Sequence, residues 1–177
     1  MRNKPGAVIE LDIKAIGDDG TFSGYASVFN VKDRGGDIVM PGAFRKSLQT
    51  YPPGKVKLLW QHASDEPIGT WVKFEEDGRG LKAEGKIILE TAKGREVHAL
   101  MKAGAVDGLS IGFRTIRDEM DRQKGARLLH ELELREVSIV TFPMNEDATV
   151  TSVKNTGNDF SELVAAINNA TRKIKES

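Results

Sequence analysis

Over most of its length the chain sets apolar side chains at or near every second position, the spacing of strands with one buried face. Val8, Leu11, Ile13 and Ile16 follow this near-alternation through residues 7–16. The turn-forming Gly17-Asp18-Asp19-Gly20 then leads into a hairpin partner over 21–29. Asp33-Arg34-Gly35-Gly36-Asp37 marks a loop, and Pro41-Gly42-Ala43-Phe44 opens a short helix to about Gln49, proline being tolerated in a first turn. Residues 56–62 read as a buried strand that ends in a polar, turn-forming stretch, 63–66. Residues 69–75 and 81–89 make another hairpin across Asp77-Gly78-Arg79-Gly80, and 109–116 and 128–142 are strands joined by a charged excursion.

Two stretches switch to helical spacing. Val97, Leu100 and Met101 predict a helix over 91–103, with Gly104 as its stop. Leu163, Val164, Ile167 and Ile174 predict an amphipathic helix over 160–174, after a polar linker at 155–159. The expected organisation is one domain over 1–154 followed by the linker and helix of 155–177. Many short strands with few helices predict an α+β fold built on a small, closed or partly closed β-barrel with a few peripheral helices.

Composition narrows the function. A chain of 177 residues, 39% apolar and 29% charged, has the size of one globular domain with one core. Its 26 basic and 26 acidic side chains cancel, so no global field argues for nucleic acid and no basic block for a membrane surface. The absence of cysteine excludes disulfides, thiolate zinc sites and a cysteine nucleophile. Residues 1–10 are polar and lack the apolar run of a signal peptide, and no stretch approaches the roughly 20 apolar residues of a membrane span. The expectation is a soluble, unexported protein without cofactor or metal.

Three residues carry candidate chemistry. In Gly108-Leu109-Ser110-Ile111-Gly112-Phe113-Arg114, a strand would turn Leu109, Ile111 and Phe113 inward and Ser110 the other way, flanked by glycines that leave its face open to a peptide. The plain alternative is a strand serine at a barrel bend. His62 ends Leu58-Leu59-Trp60-Gln61-His62, where a buried strand meets a loop; an imidazole there can take a hydroxyl proton at neutral pH. His98, in a predicted helix, and His130, in a charged approach to a strand, are weaker bases. In the strand from Leu132 to Pro143, alternation places Glu136 and Ser138 with Leu134 and Val140 on one face. A carboxylate among apolar neighbours needs a partner: the His62 imidazole, or an ordinary ion pair with Arg114 or Arg135. The loop 33–37 lacks the Walker spacing of a phosphate loop, and no two histidines stand at metal-ligand spacing.

Four stretches together resemble the prohead proteases of tailed phages, a family similar in fold to the herpesvirus assemblins. They are Gly24-Tyr25-Ala26-Ser27-Val28-Phe29 with Asp37-Ile38-Val39-Met40-Pro41-Gly42-Ala43-Phe44; Leu59-Trp60-Gln61-His62 with Pro67-Ile68-Gly69; Gly108-Leu109-Ser110-Ile111-Gly112-Phe113; and residues 135–145, Arg135-Glu136-Val137-Ser138-Ile139-Val140-Thr141-Phe142-Pro143-Met144-Asn145. The resemblance implies a herpesvirus-protease-like barrel, Ser110 as nucleophile and His62 as general base. Assemblins place a second histidine after the serine as third catalytic member; the matching place here is held by Glu136, with His130 as the alternative. The resemblance further implies a serine endopeptidase acting in the host cytoplasm, inside the assembling procapsid, on the major capsid protein or its scaffolding segment and then on itself. It leaves room for a homodimer, since assemblins work as dimers. Two rival readings are a non-catalytic strand-rich module of a phage particle, and a hydrolase using Gly108-Leu109-Ser110-Ile111-Gly112 as a strand–turn–helix nucleophile elbow.

Overall fold

The computed structural model describes residues 16–152, and within them eight strands join one mixed sheet. They are β1 (Thr21–Val28), β2 (Asp37–Val39), β3 (Lys57–Trp60), β4 (Ala63–Glu76), β5 (Gly80–Ile87), β6 (Gly108–Asp121), β7 (Ala126–Val140) and β8 (Val150–Ser152), with helices α1 (Arg45–Thr50) and α2 (Ala92–Lys102). Apart from Ile16, which bridges Phe22, the strand expected at 7–16 lies outside the described residues. So do the linker at 155–159 and the helix at 160–174.

The hydrogen-bonded order is β2-β7-β3-β4-β5-β1-β8, with β6 on β7. β7 organises it. One edge of β7 pairs parallel with β2 near its start (Ile38 with Leu128) and parallel with β3 near its end (Leu59 with Ser138). Its other edge pairs antiparallel with β6 from Gly108 opposite Val140 to Asp121 opposite Ala126. The far side of the sheet curls back to β6. Tyr25 donates its N–H to the Thr149 carbonyl at 2.9 Å, Leu109 donates to Ala148 at 2.9 Å and Val150 to Asp107 at 3.0 Å. Residues 148–150 thereby stitch β1 to β6 and partly close a barrel, as the many short strands predicted. Inside it, buried Phe22, Leu58, Ile68, Trp71, Leu109 and Ile139 form part of one core. α2 begins where Thr91 caps it, the hydroxyl accepting from the Gly94 N–H at 2.9 Å.

Three expectations need correcting. The polar stretch 63–66 is not the turn but the first part of β4; the turn is Gln61-His62, since Trp60 already pairs with Ala63. Its polarity reflects a mostly exposed strand rather than a loop. The charged excursion after Ile116 is likewise strand: β6 continues antiparallel along β7 with its charged residues towards water, while Ala126 and Leu129 opposite them on β7 are buried. Finally, Leu134 does not share a face with Glu136. Gly112 pairs with Glu136 but Phe113 with Leu134, so Arg135 is bulged out and Leu134 turns into the core.

The seam yields a stability prediction. A Cβ on Gly24 would lie 2.4 Å from the Thr149 carbonyl and 2.6 Å from the Val150 Cα, both backbone, whereas one on Gly78 meets nothing within 4 Å. Gly24→Ala is expected to destabilise the fold by about 1–3 kcal/mol and Gly78→Ala to change it little, read from urea unfolding midpoints.

Candidate active site

Ser110 lies within β6, directly opposite Ser138 of β7, and is 4% exposed. Directly opposed residues of an antiparallel pair share a face, so Ser110, Gly112, Glu136 and Ser138 all point the same way. Leu109, Ile111 and Phe113 occupy the opposite face, against the core. β6 runs on for eleven residues past Ser110 to Asp121, and no helix follows the serine. That rules out the nucleophile-elbow arrangement, in which a strand gives way to a helix at the nucleophile.

The flanking glycines have a different purpose from the one expected. A Cβ on Gly112 would fall 2.2 Å from Glu136 Oε1, and one on Gly108 would fall 2.8 Å from Pro143 Cδ. The space they leave is filled by the protein's own atoms rather than held open for a peptide. Gly112 lets the Glu136 carboxylate lie across β6.

That carboxylate meets His62. The imidazole Nδ1–H donates to Glu136 Oε1 at 2.6 Å, and the Ser138 hydroxyl donates to Glu136 Oε2 at 2.7 Å. The His62 backbone N–H in turn donates to Ser138 Oγ at 3.2 Å. With Nδ1 engaged, the Nε2 side of a half-exposed ring is left to act. The Ser110 hydroxyl has no hydrogen-bond partner among the described residues.

His62 is presented by a strained turn. Gln61 and His62 have φ of 51° and 61°, the positive values that a two-residue hairpin turn requires and that Asn-Gly would adopt readily. For other side chains such backbone costs about 1–3 kcal/mol per residue and persists only when its surroundings hold it. Here Gln61 Nε2 donates to Thr141 Oγ1 at 2.7 Å, the Thr141 N–H donates to Gln61 Oε1 at 3.3 Å, and the Gln61 N–H donates to the Ile139 carbonyl at 3.0 Å.

The remaining candidates go elsewhere. Arg114 and Arg135 both bind Glu133, at 2.6 and 2.5 Å, so neither forms the ion pair considered for Glu136. His130 stands six positions before Glu136 on β7, roughly 20 Å at strand rise. Its Nε2 is 3.5 Å from Glu119, away from His62 and Ser110. His98 Nε2 bonds the Gly17 carbonyl at 2.9 Å. In the loop 33–37, Asp33 accepts from the Asp37 N–H at 2.9 Å and Asp37 is bound by Arg127. Among the described residues no cluster of His, Asp and Glu is arranged to hold a metal. The residue that sequence reasoning passed over is Ser138, fully buried between Glu136 and His62; its placement beside Glu136 was the available signal. A cavity of about 120 Å³ adjoins Ser110, between β6 and the loops around Gly35 and Met144.

The hydrogen bond His62 donates to the Glu136 carboxylate, with that carboxylate's charge, raises the imidazole above the ordinary 6.5, burial opposing only in part. Because the folded-state value is the higher one, the stabilisation is fully present below 6.5 and is lost as pH rises through the folded-state midpoint. An NMR titration of His62 is expected to show a midpoint above 6.5, falling in Glu136→Gln. Ser138→Ala, which strips a partner from both Glu136 and the His62 N–H, is expected to destabilise by about 1–3 kcal/mol in urea unfolding.

Comparison with known proteins identifies relatives of the chain and of its fold. A family model described as caudovirus prohead serine protease matches residues 9–162. The prohead protease of Enterobacteria phage HK97 is 38% identical over 149 residues, covering 82% of this chain and 66% of that protein. The prohead protease of Escherichia phage T5 is 32% identical over 142 residues, covering 78% and 66%. The chain thus spans just under two thirds of the length of either relative. Among solved structures, the bacteriophage T4 capsid assembly protease superposes with a TM-score of 0.53 at 15% identity, over 68% of this chain and 80% of that one. The KSHV protease superposes with a TM-score of 0.52 at 10% identity, over 86% and 76%. These structural matches establish a shared herpesvirus-protease-like fold. With its family model matched over most of its length, the chain belongs to the caudovirus prohead serine protease family.

Proposed function

We propose that this chain is the serine endopeptidase of capsid maturation, cutting the major capsid protein or its scaffolding segment inside the assembling procapsid, with Ser110 as nucleophile, His62 as general base and Glu136 as its orienting carboxylate. The observation that carries the reading is the 2.6 Å contact of His62 Nδ1 with Glu136, on the face and strand pairing that also present Ser110. Family membership supplies the reaction class, and the relatives' description as prohead proteases supplies the setting.

In this reading Ser110 Oγ attacks the peptide carbonyl while His62 Nε2 takes its proton. The resulting imidazolium is stabilised by the Glu136 carboxylate, which also fixes the tautomer that leaves Nε2 free to accept. The tetrahedral intermediate collapses, the C–N bond breaks, and the imidazolium returns the proton to the leaving amine. Water then repeats the sequence on the acyl-enzyme, with His62 again as base. Ser138 holds the far oxygen of Glu136 and the backbone of His62, so the carboxylate is already oriented when charge develops on the ring.

Co-expression with the capsid protein encoded beside it, read by intact mass, tests the proposal. The wild-type chain is expected to trim the capsid protein, and Ser110→Ala to leave it full length, activity falling about 10⁴-fold or more. Equal trimming by both would remove Ser110 from the mechanism. Since a base must be unprotonated, kcat/KM is expected to rise with pH through a midpoint above 6.5, the direction set by Glu136. Glu136→Gln should lower the plateau and move the midpoint down. Flat activity between about pH 5 and 8 would exclude His62 as the base.

A further inference from the structure

Resting on Ser110 as nucleophile, we propose that the cavity beside it receives a basic side chain, lysine or arginine, of the peptide being cut, and that Asp33 is its specificity-determining residue. The cavity lies against the Leu109, Ile111 and Phe113 face of β6, with Ser110 at its border. Val31, Val39, Ile111, Phe113 and Met144 supply apolar surface against which an aliphatic stem can lie.

The polar groups in the wall are unequal. Asp37 has both carboxylate oxygens on Arg127, at 2.8 and 2.6 Å, so its charge is matched. Asn145 donates to the Val28 carbonyl at 2.9 Å and accepts from the Asp147 N–H at 3.1 Å, so both ends of its amide are engaged. Asp33 accepts one hydrogen bond through Oδ1, from the Asp37 N–H, and has no ion-pair partner among the described residues. No lysine, arginine or histidine lines the cavity. Of the cations nearby, Arg34 is held by Glu146, Arg127 of β7 is shared by Asp37, Asp118 and, through space, Asp33, and Lys32 donates to the Gly125 carbonyl. A wall with two carboxylates, one of them without a direct ion pair, and no cation repels an acidic side chain. It leaves a neutral one beside an anion stripped of water, and pairs a basic one.

Asp33 is also held ready. Its N–H donates to the Asp37 carbonyl at 2.8 Å and its carbonyl accepts from Gly36 at 3.1 Å. The Arg34 N–H reaches across to the Met144 carbonyl at 3.0 Å, tying the two loops that flank the cavity. A Cβ on Gly35 would stand 3.0 Å from Met144 Cε and 3.2 Å from Asp33 Oδ1, so the glycine keeps the space between carboxylate and thioether clear. Among the described residues, the edge of β6 away from β7 is bridged only at Gly108, to Thr149. An extended peptide can therefore pair along that edge from Ser110 onward and present a side chain to the cavity.

Two peptidyl diphenyl phosphonates, identical except for a lysine-type or a norleucine-type side chain next to phosphorus, test this on the full chain. The rate of adduct formation is read by intact mass and its position by peptide mapping, with Ser110→Ala as control. The lysine-type probe is expected to label Ser110 about 10- to 100-fold faster than the norleucine-type, the worth of one charge-assisted hydrogen bond. Asp33→Asn keeps the acceptor for the Asp37 N–H and removes the charge; the ratio of the two rates should fall towards one while the norleucine-type probe still reacts. Labelling of Ser110 at equal rates by both probes, or a ratio unchanged in Asp33→Asn, would overturn the pocket and leave the nucleophile standing. Failure of both probes to label Ser110 would remove nucleophile and pocket together. Should Asp33→Asn fail to fold, the ratio of rates on the wild-type chain decides alone.

Discussion

Glu136 can act on His62 because β7 has neighbours on both sides at that point. β3 runs parallel along one edge and carries the turn with His62; β6 runs antiparallel along the other and carries Ser110. A histidine and a serine from distant parts of the sequence are thereby placed across a single strand, and the residues between them, Glu136 and Ser138, belong to that strand. The register is held by the core on the reverse face, where Val137 and Ile139 lie opposite Ile111 and Leu109. Slipping β7 by one residue would turn those side chains to the outside and the carboxylate into the core, an exchange strongly disfavoured by both changes. Packing on one face thus enforces geometry on the other.

The His62 turn shows the same logic at smaller scale. A Gln-His pair is a poor choice for a turn with two positive φ values, and an Asn-Gly pair would relieve the strain while deleting the imidazole. The chain instead fastens the strained backbone to Thr141, Ile139 and Ser138, all at the end of β7. The histidine is consequently rigid with respect to the strand that bears its carboxylate, although the ring itself is half exposed. Local strain is tolerated where the tertiary structure already has a fixed point to hold it.

The strands, the hairpins and the helix capped by Thr91 were legible in the alternation because each buries one face or stripe, and burial leaves a periodic trace. The pairing of His62 with Glu136 was legible as a need: a carboxylate among apolar neighbours calls for a partner, and few histidines were available. What alternation could not carry was any departure from itself. The bulge at Arg135 reverses the face of Leu134 without any change in residue type. The Gln61-His62 turn lacks the glycine or asparagine that ordinarily marks such a turn, and the polar residues of β4 imitate a loop because water, not core, lies against them. The glycines beside Ser110 were read correctly as special positions but for the wrong occupant, since only the three-dimensional pairing shows Glu136 and Pro143 filling their places.

The seam formed by residues 148–150 divides the labour of the molecule. His62, Glu136 and Ser138 are held by β7 and by the turn that follows β3, where the sheet is continuous. The cavity beside Ser110 is walled instead by the loops around Gly35 and Met144, the second of which runs straight into the seam. β6 is the common wall of both. Loosening the seam would let the loops part while leaving the histidine and its carboxylate in register. With the site acting as proposed, the chain would then keep its serine, histidine and carboxylate in place yet lose its grip on a peptide, making closure of the barrel a condition for recognition rather than for chemistry.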